Sequence, residues 1–343
     1  MLKVGVVGAT GYTGCELVKI LSRHPKVELA SLSALVKEPQ RFNQLFPQYP
    51  DVSLLCENLD IEKVAKECTL VFLALPHTVS LEIAFQFLKL GKKVIDLSAD
   101  YRLSQEVYEK WYKVKHSHPD LLEQAVYGLP ELYKREIREA RLIANPGCYP
   151  TSALLALAPL MDKELIQEII VDSKTGVSGA GRKADINLHF SEVSVNVKPY
   201  KVNAHQHIPE IEQELSKLAG REVEIIFVPH LIPVDRGILS TIYLSLNKEI
   251  SEREVFALFK DFYNQSPFVK LFRNSLPQTK DVIFTNYCAL GIRIVAKKAI
   301  VISAIDNLVK GAAGQAVCCN ICDGVVFFDN LAHLSVFAGP FSH

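Results

Sequence analysis

The chain has no excess charge of either sign, because its 343 residues include 38 Lys and Arg against 38 Asp and Glu. Without a net field it has no general attraction for nucleic acid or an anionic membrane surface. Its longest apolar stretches, such as residues 153–161, are too short to span a bilayer. The N-terminus leads directly into a strand-like segment and lacks the apolar core of a secretory signal. We therefore expect a cytoplasmic protein with room for two domains, acting on small molecules.

Disulfide frameworks and metal clusters are also lacking. The eight Cys residues are scattered without a framework pattern, which favours reduced thiols. Cys319 and Cys322 form a single CxxC beside Cys318, with His333 farther on, and one such pair is too few for a structural zinc site. We expect these cysteines to be small buried side chains and the protein to hold no metal.

A glycine-rich loop opens the chain. Residues 3–7 form a short apolar strand, and residues 15–24 have the apolar spacing of a helix. Between them lies GATGYTG, whose glycines allow a tight turn and close approach to a pyrophosphate at the helix N-terminus. The strand, loop, helix and following strand together predict a dinucleotide site. Its candidate ligands are Gly8, Thr10, Gly11, Tyr12, Thr13 and Gly14.

The second strand, residues 27–33, indicates which dinucleotide is bound. NAD sites usually carry Asp or Glu at this strand's end, to accept from the ribose 2′-hydroxyl. Here the strand ends at Ser33, and Lys37 and Arg41 follow. A hydroxyl and cations accommodate a 2′-phosphate, so NADP(H) is favoured, with Ser33 as a further cofactor residue. The alternative is that Lys37 and Arg41 are only solvated loop charges.

A thiol stands at a predicted strand–helix junction. Residues 141–144 predict a short buried strand, Pro146 and Gly147 end it, and residues 152–161 are compatible with a helix. Cys148 would then face the unpaired N–H groups of that helix, where a thiol pKa falls from about 8.5 to roughly 3.5–7.5. We interpret Cys148 as a nucleophile. A small buried cysteine in a turn is the alternative.

Two polar clusters in the second half also resemble site segments. Residues 173–183 are rich in glycine and donors and end in Arg182 and Lys183, a composition suited to phosphate or carboxylate, or to an ordinary flexible loop. His205 and His207 precede a helix near Pro209, and a histidine beside a thiolate can move protons at neutral pH. The HxH spacing could also be half a metal site, but no further ligand lies at suitable spacing nearby.

The order of elements predicts an α/β protein. Apolar strands at residues 70–75 and 93–97 alternate with a helix at 79–90, which favours a doubly wound parallel sheet through residue 147. After residue 151 longer strands, at 222–228, 239–246, 292–295 and 300–305, predict a mixed sheet. A last helix at 307–321 is expected to return to the first domain. We assign residues 1–147 and 308–343 to the NADP-binding domain and 148–307 to a catalytic, substrate-binding and dimerisation domain.

Eight segments together resemble the N-acetyl-gamma-glutamyl-phosphate reductases, NADP-dependent enzymes of arginine biosynthesis. The segments are GATGYTG at 8–14, DLSADYR at 96–102, YGLPEL at 127–132, NPGCYPT at 145–151, SGAGRK at 178–183, HQHIPEI at 205–211, PHLIPVDRGIL at 229–239 and DNLVKGAAGQAV at 306–317. The resemblance runs from residue 2 to about residue 325. Aspartate-semialdehyde dehydrogenases share the architecture and chemistry but lack the NPGCYPT and HxHxPEI strings.

The resemblance implies a fold and a reaction. The fold is a Rossmann domain followed by an α/β domain like that of glyceraldehyde-3-phosphate dehydrogenase. The enzyme would convert N-acetyl-L-glutamyl 5-phosphate and NADPH to N-acetyl-L-glutamate 5-semialdehyde and phosphate through a Cys148 thioester. His207 would be the acid and base, with His205 as a rival. We expect a homodimer or homotetramer, in which an apolar tail at 334–343 packs at an interface or frays.

The resemblance also extends to ligand residues. Asn307 would hold the nicotinamide carboxamide. The anionic substrate would be held by Arg102, Ser178, Gly179, Arg182 and Lys183. Other classes stay open: an aspartate-semialdehyde-dehydrogenase-like acylating reductase, a non-catalytic NADP-binding protein, and a cysteine hydrolase or acyltransferase. The last would have no use for the dinucleotide loop, and a non-catalytic protein would need neither Cys148 nor the histidine pair.

Overall fold

The computed structural model describes residues 1–161, 163 and 165–320. The chain divides into two compact units. The first unit contains residues 1–147 and 312–320, and the second contains residues 148–311. Among the described helices, none is long and apolar enough to cross a membrane.

The first unit alternates strands and helices. In chain order its elements are β1 (Leu2–Val7), α1 (Tyr12–Leu21), β2 (Val27–Ser33), β3 (Gln40–Arg41), α2 (Phe42–Leu45), β4 (Leu55–Glu57), α3 (Ile61–Glu67), β5 (Leu70–Leu73), α4 (Ser80–Lys89), β6 (Lys93–Asp96), α5 (Gln105–Tyr112), β7 (Ala125–Tyr127), α6 (Pro130–Glu139) and β8 (Leu142–Ala144). The strands form one sheet in the order β3-β4-β2-β1-β5-β6-β8-β7. All neighbouring pairs are parallel except the short β3–β4 pair.

The parallel register brings the carboxyl ends of the central strands to one edge. Val7 pairs with Ser33 and Leu73, and Asp96 pairs with Leu73 and Ala144. GATGYTG, DLSADYR and NPGC therefore all begin at the same edge of the sheet, which is where open α/β sheets bind ligands. The predicted α/β class is confirmed.

The second unit is a mixed sheet with helices on one face. Its elements are α7 (Cys148–Met161), β9 (Ile166–Thr175), α8 (Phe190–Val193), β10 (Lys198–Pro199), α9 (Ile208–Ala219), β11 (Ile226–Leu231), β12 (Ile238–Leu246), α10 (Glu252–Phe262), β13 (Val269–Phe272), β14 (Cys288–Val295) and β15 (Lys298–Ile305). The strand order is β10-β11-β9-β12-β15-β14-β13. Helix α7 packs on β9, β12 and β15 and also touches α9 and α10. Every residue of α7 after Cys148 is buried, which explains its nearly unbroken apolar sequence.

The connection at the end of the second unit differs from the prediction. Instead of one helix over 307–321, a π-helical turn (Val309–Ala313) precedes helix α11 (Gly314–Asn320). Residues 308–311 belong to the second unit, not to the first as predicted. The cause is Asp306, whose carboxylate accepts from the N–H groups of Leu308 (2.8 Å) and Val309 (3.1 Å) and ties them to the end of β15.

Helix α11 packs against α1 and α6 in the first unit. Within that unit, the side chain of Gln315 donates to the carbonyl of Gly128 at 2.9 Å. The expectations for Cys322, His333 and the tail at 334–343 lie outside the described residues.

Candidate active site

The glycine loop after β1 has the close backbone packing that a dinucleotide cradle requires. Gly8 has φ +87°, and a Cβ added there would lie 2.2 Å from the carbonyl oxygen of Ala74. A Cβ at Gly14 would lie 2.1 Å from the Gly8 oxygen, whereas one at Gly11 would meet only that oxygen, at 3.5 Å. The carbonyl of Ser33 accepts from the N–H groups of Gly8 and Ala9, at 2.7 and 3.0 Å. Two glycines therefore shape the loop, and the third leaves space on its outer side.

The first turn of helix α1 is suited to binding an anion. Gly11 is its N-cap and supplies no side-chain hydrogen bond, and no acidic residue lies in the first turn. Backbone N–H groups in this position bind phosphates. Thr10 and Thr13 are half-buried at the loop, and Tyr12 is exposed. These residues fit the pyrophosphate of a nicotinamide dinucleotide.

The end of β2, which was predicted to select NADP, is surrounded by groups that its sequence did not indicate. Ser33 is 1% exposed, so its carbonyl holds the loop while its hydroxyl is buried. Glu57 of the neighbouring strand pairs in register with Ser33, and Lys63 forms an ion pair with that carboxylate. Lys37 is exposed beyond the strand, whereas Arg41 donates to the carbonyl of Ser53 at 2.8 Å. The acid near the strand end is thus neutralised, which is compatible with a 2′-phosphate.

Cys148 is the first residue of α7, as the sequence predicted. It is half-buried, whereas the helix behind it is buried throughout. The backbone of Gly311 packs against it so closely that an added Cβ would lie 2.8 Å from the Cys148 Cβ. No acidic residue stands in the first turn of α7. The thiol therefore lies beside the positive end of the helix dipole without a competing carboxylate from that turn.

Both predicted histidines gather around the residue that follows Cys148. The Tyr149 ring lies edge-on to the rings of His205 (centroids 5.5 Å apart) and His207 (5.9 Å). The two imidazole centroids are 4.7 Å apart. Tyr200 and Phe227 also lie edge-on to His205, at 5.7 and 5.5 Å. The second unit therefore places both imidazoles around the residue that follows Cys148 in helix α7.

The two histidines differ in environment. The Nδ1 atom of His205 accepts from the backbone N–H of His207 at 3.1 Å. Burial among aromatic rings, helped by the charge of Lys201, lowers the pKa of His205 to about 4. His205 is therefore neutral at physiological pH. His207 is the N-cap residue of α9, half-buried and directed toward the same tyrosine ring.

The predicted anion loop has one buried end and one exposed end. Ser178 is buried, its N–H donates to the carbonyl of Asp235 (3.0 Å), and its hydroxyl accepts from the Nδ2 of Asn307 (3.0 Å). Gly179, Arg182 and Lys183 are exposed. The loop base is thus fixed, and its cations face solvent.

Asn307 and Arg102 lie in settings that the sequence did not indicate. Asn307 is 2% exposed, and its Oδ1 accepts from the N–H of Gly237 at 2.7 Å while its Nδ2 serves Ser178. Arg102 is 6% exposed in the first unit, where its Nη2 donates to the carbonyl of Leu97 at 2.8 Å. Both side chains thus have clear roles in holding local backbone.

Sequence reasoning missed two buried polar groups inside the motifs it quoted. In PVDRGIL, Arg236 is 7% exposed, lies 3.4 Å from the Asp306 carboxylate and covers the ring of Phe284 at 4.6 Å. In DLSADYR, the carboxylate of Asp100 accepts from the N–H of Thr78 and the hydroxyl of Tyr108, both at 2.8 Å. The only available signal was a charged residue inside an otherwise apolar or glycine-containing string.

Asp96 is a second buried carboxyl of the same motif. It accepts from the Ser98 hydroxyl at 2.6 Å and from the Ser98 N–H at 3.1 Å. Burial, followed by the neighbouring Asp100 charge, raises the pKa of Asp96 to about 6. These bonds hold the turn after β6. In the described part of the chain, no group of three or more His, Cys, Asp or Glu residues could hold a metal ion.

Residues 3–140 match the family model of the semialdehyde dehydrogenase NAD binding domain, and residues 148–307 match that of the semialdehyde dehydrogenase dimerisation domain. The N-acetyl-gamma-glutamyl-phosphate reductase of Pelotomaculum thermopropionicum is 50% identical over 323 residues, which is 92% of this chain and 93% of the relative. The enzyme of the same name from Syntrophobacter fumaroxidans is 48% identical over 324 residues, covering 93% and 94%.

Solved structures resemble the chain in fold. Aspartate semialdehyde dehydrogenase II from Vibrio cholerae superposes with a TM-score of 0.70 at 20% identity, covering 93% of this chain and 97% of that one. Aspartate semialdehyde dehydrogenase with NADP from Candida albicans gives 0.70 at 17% identity, covering 94% and 98%.

Proposed function

This chain belongs to the N-acetyl-gamma-glutamyl-phosphate reductase family, and on that premise we propose how its residues carry out the reaction. The substrates are N-acetyl-L-glutamyl 5-phosphate and NADPH, and the products are N-acetyl-L-glutamate 5-semialdehyde, phosphate and NADP. The observation that carries the assignment of roles is the cluster in the second unit. A thiol begins helix α7, and two imidazoles stand around the next residue, Tyr149.

Cys148 acts as the nucleophile. Its thiolate attacks the acyl carbon and forms a C–S bond. The bond between the acyl carbon and the bridging phosphate oxygen breaks, and phosphate leaves. NADPH, when bound, supplies the hydride that reduces the resulting thioester. The oxygen that this reduction leaves negative takes a proton. The thiohemiacetal then loses that proton again as the C–S bond breaks, which releases the aldehyde and restores the thiolate.

His207 moves these protons. A histidine side chain can accept the Cys148 proton and return one near neutral pH. His205 is less suited, because its pKa of about 4 makes it a weak base and its Nδ1 already accepts from the backbone of His207. We assign His205 the task of orienting His207 through that bond.

The substrate's anionic groups are held by the loop after β9. Arg182 and Lys183 supply cations, and Ser178 and Gly179 supply a fixed backbone. Arg102 is a weaker candidate because its buried guanidinium already serves a backbone carbonyl. The expected contact of Asn307 with the nicotinamide carboxamide stays a prediction. Its bonds to Ser178 and Gly237 favour a role in fixing the substrate loop.

The cofactor is NADP(H). The glycine loop and the first turn of α1 would receive the pyrophosphate, with Thr10, Tyr12 and Thr13 beside it. Lys37, exposed beyond the end of β2, is the nearest candidate for the 2′-phosphate, because the hydroxyl of Ser33 is buried.

The match to a dimerisation domain indicates that the chain forms oligomers. For a homodimer, or a homotetramer built from two of them, we favour the sheet face opposite α7. Among the described residues no α-helix packs there, and the face presents half-exposed or exposed apolar side chains on three adjacent strands, namely Ile170, Leu239, Tyr243 and Ile302. A cytoplasmic location stays an expectation from the sequence.

Steady-state turnover of Cys148→Ser tests the mechanism, with Cys318→Ser, another half-buried thiol, as the control. With N-acetylglutamate semialdehyde, NADP and phosphate, Cys148→Ser should lose turnover by several orders of magnitude and keep NADPH binding. Cys318→Ser should keep both. Near-normal turnover of Cys148→Ser would contradict the covalent mechanism. Preferred turnover of aspartate semialdehyde by the wild-type protein would contradict the substrate assignment.

A further inference from the structure

Tyr149 makes contacts that the reaction described above does not explain. It is 3% exposed, although Cys148 beside it is half-buried. Consecutive residues of an α-helix point about 100° apart, so the two side chains leave α7 in different directions. The ring of Tyr149 turns inward and lies edge-on to Phe227, with centroids 5.1 Å apart, as well as to both histidines. One ring thus connects the first turn of the nucleophile helix to the histidine segment.

The hydroxyl of Tyr149 is held on two sides. It lies 2.9 Å from the hydroxyl of Tyr200, which follows β10, and it forms a hydrogen bond with the side chain of Thr175 at the end of β9. Burial raises the pKa of Tyr149 far above its usual range, so the group stays a neutral phenol at any pH at which the protein works. The ring therefore cannot rotate out of place without breaking hydrogen bonds in a buried environment, where their loss is costly.

The histidine segment needs such support, because the backbone before it is strained. Lys201 and Asn203 have φ of +44° and +47°, values that non-glycine residues rarely adopt. The N–H of Asn203 donates to the carbonyl of Phe227 at 2.9 Å, which fastens the strained turn to β11. His205 and His207 follow this turn directly, and the rings around them fix their direction.

We propose that Tyr149 is a positioning residue that sets the two histidines relative to Cys148, with its ring as the support and its bonds to Tyr200 and Thr175 as the anchor. The proposal rests on the proposed function, because it concerns the residues that deliver and accept the protons of the thiol. Tyr200 then also contributes to positioning the two histidines. The hydroxyls of Tyr149 and Tyr200 should then be energetically coupled, since each fixes the other.

The test compares phenylalanine substitutions at three tyrosines, two of them also in combination. Tyr149→Phe and Tyr200→Phe each remove one partner of the 2.9 Å contact, and the double variant removes both. Tyr263→Phe is the matched control: Tyr263 is 5% exposed, and its hydroxyl donates to the carbonyl of Leu155, on the same helix α7, at 2.6 Å. It therefore loses a comparable buried bond to that helix, made by its hydroxyl to backbone and not to Tyr200.

The main readout is the rate at which iodoacetamide alkylates Cys148 as a function of pH, followed by peptide mass analysis because the chain has eight cysteines. This rate reports the fraction of thiolate without requiring turnover. Tyr149→Phe should displace the pH profile and lower kcat by roughly three- to tenfold, the equivalent of one hydrogen bond, while KM for NADPH stays constant. Tyr200→Phe should act in the same direction. The double variant should be no worse than Tyr149→Phe alone.

Tyr263→Phe should lower the melting temperature and leave the alkylation profile as in the wild type. If Tyr149→Phe matches Tyr263→Phe in both respects, the phenol is only structural and the proposal is wrong. Strict additivity of Tyr149→Phe and Tyr200→Phe would also overturn the coupling. If Tyr149→Phe does not fold, Tyr200→Phe decides, because it breaks the same contact from a half-buried position. A failure of the proposed function is seen separately, as turnover by Cys148→Ser.

Discussion

Gly8→Ala should damage the nucleotide loop for two separable reasons. The first is conformational, because Gly8 has φ +87°, where an L side chain costs about 1–2 kcal/mol. The second is steric, because the new methyl would lie 2.2 Å from the carbonyl oxygen of Ala74. Forcing backbone apart at such a contact adds about 1–3 kcal/mol, by analogy with overpacked cores. The free energy of unfolding of the first unit should therefore fall by about 2–5 kcal/mol.

Two other glycines of the first unit separate these costs. Gly91 has φ +79° and no atom within 4 Å of an added Cβ, so Gly91→Ala should show the conformational cost alone. At Gly11, with φ −71°, an added Cβ would meet only the Gly8 oxygen, at 3.5 Å. Gly11→Ala should therefore fold normally. It should still weaken NADPH binding, because its methyl would stand where the pyrophosphate approaches the helix.

Fluorescence of Trp111 suits the measurement, since it is the only tryptophan and lies in α5 of the first unit. Denaturant unfolding followed at this residue gives the stability of that unit, and NADPH titration gives affinity. The expected order of destabilisation is Gly8→Ala, then Gly91→Ala, then Gly11→Ala. Equal losses for Gly8→Ala and Gly91→Ala would refute the steric reasoning. Unchanged NADPH affinity of Gly11→Ala would refute its place at the cofactor.

Three further predictions concern the site and its pH dependence. His207→Asn should remove one limb of the pH–rate profile and slow turnover on the order of 10²–10⁴-fold. His205→Asn should keep that limb, because its own pKa is about 4, and the reverse pattern would exchange their roles. Arg182→Ala should raise KM for phosphate or acyl phosphate and leave NADPH affinity unchanged, and unaltered kinetics would make its loop an ordinary one. Burial raises the pKa of Asp96 from 3.8 to about 6, so this group stabilises the fold fully below pH 3.8 and loses that contribution as pH rises through 6. The free energy of unfolding should fall by up to about 3 kcal/mol over that pH window, and it should change less with pH in Asp96→Asn. An equal pH dependence in the variant and the wild type would exclude Asp96 as the cause of the fall.

The elements that the sequence predicted well are those whose signals are local. The strand before GATGYTG, the helix after it and the helix that begins at Cys148 each carry their own turn residues and apolar spacing, and all three are found. Boundaries shifted where tertiary pairing decides them. The strand expected at 222–228 runs over Ile226–Leu231 because β11 pairs in register with β9, from Ile170 to Thr175.

Local sequence patterns could not predict which single charged or polar residues are buried. Arg102 was predicted to bind an anion because a cationic residue in a glycine- or acid-rich motif often does so. Its buried guanidinium also donates to a carbonyl only five residues away, in a turn that is held by Asp96 and Asp100. Ser33 was expected at the cofactor through its side chain, but its carbonyl does the holding. Sequence patterns indicate residue chemistry and do not distinguish a side chain that binds a ligand from one that binds backbone.

Tyr149 illustrates the same limit for the site itself. In the sequence it is one letter between Cys148 and a proline, and its partners Tyr200, His205 and Phe227 are more than fifty residues away. They meet because β10, β11 and β9 are neighbours in the sheet and α7 packs over β9. The histidine pair could be recognised from its spacing, but the ring against which it packs could not. A motif thus indicates candidate reactive groups, whereas strand order determines which side chains pack around them.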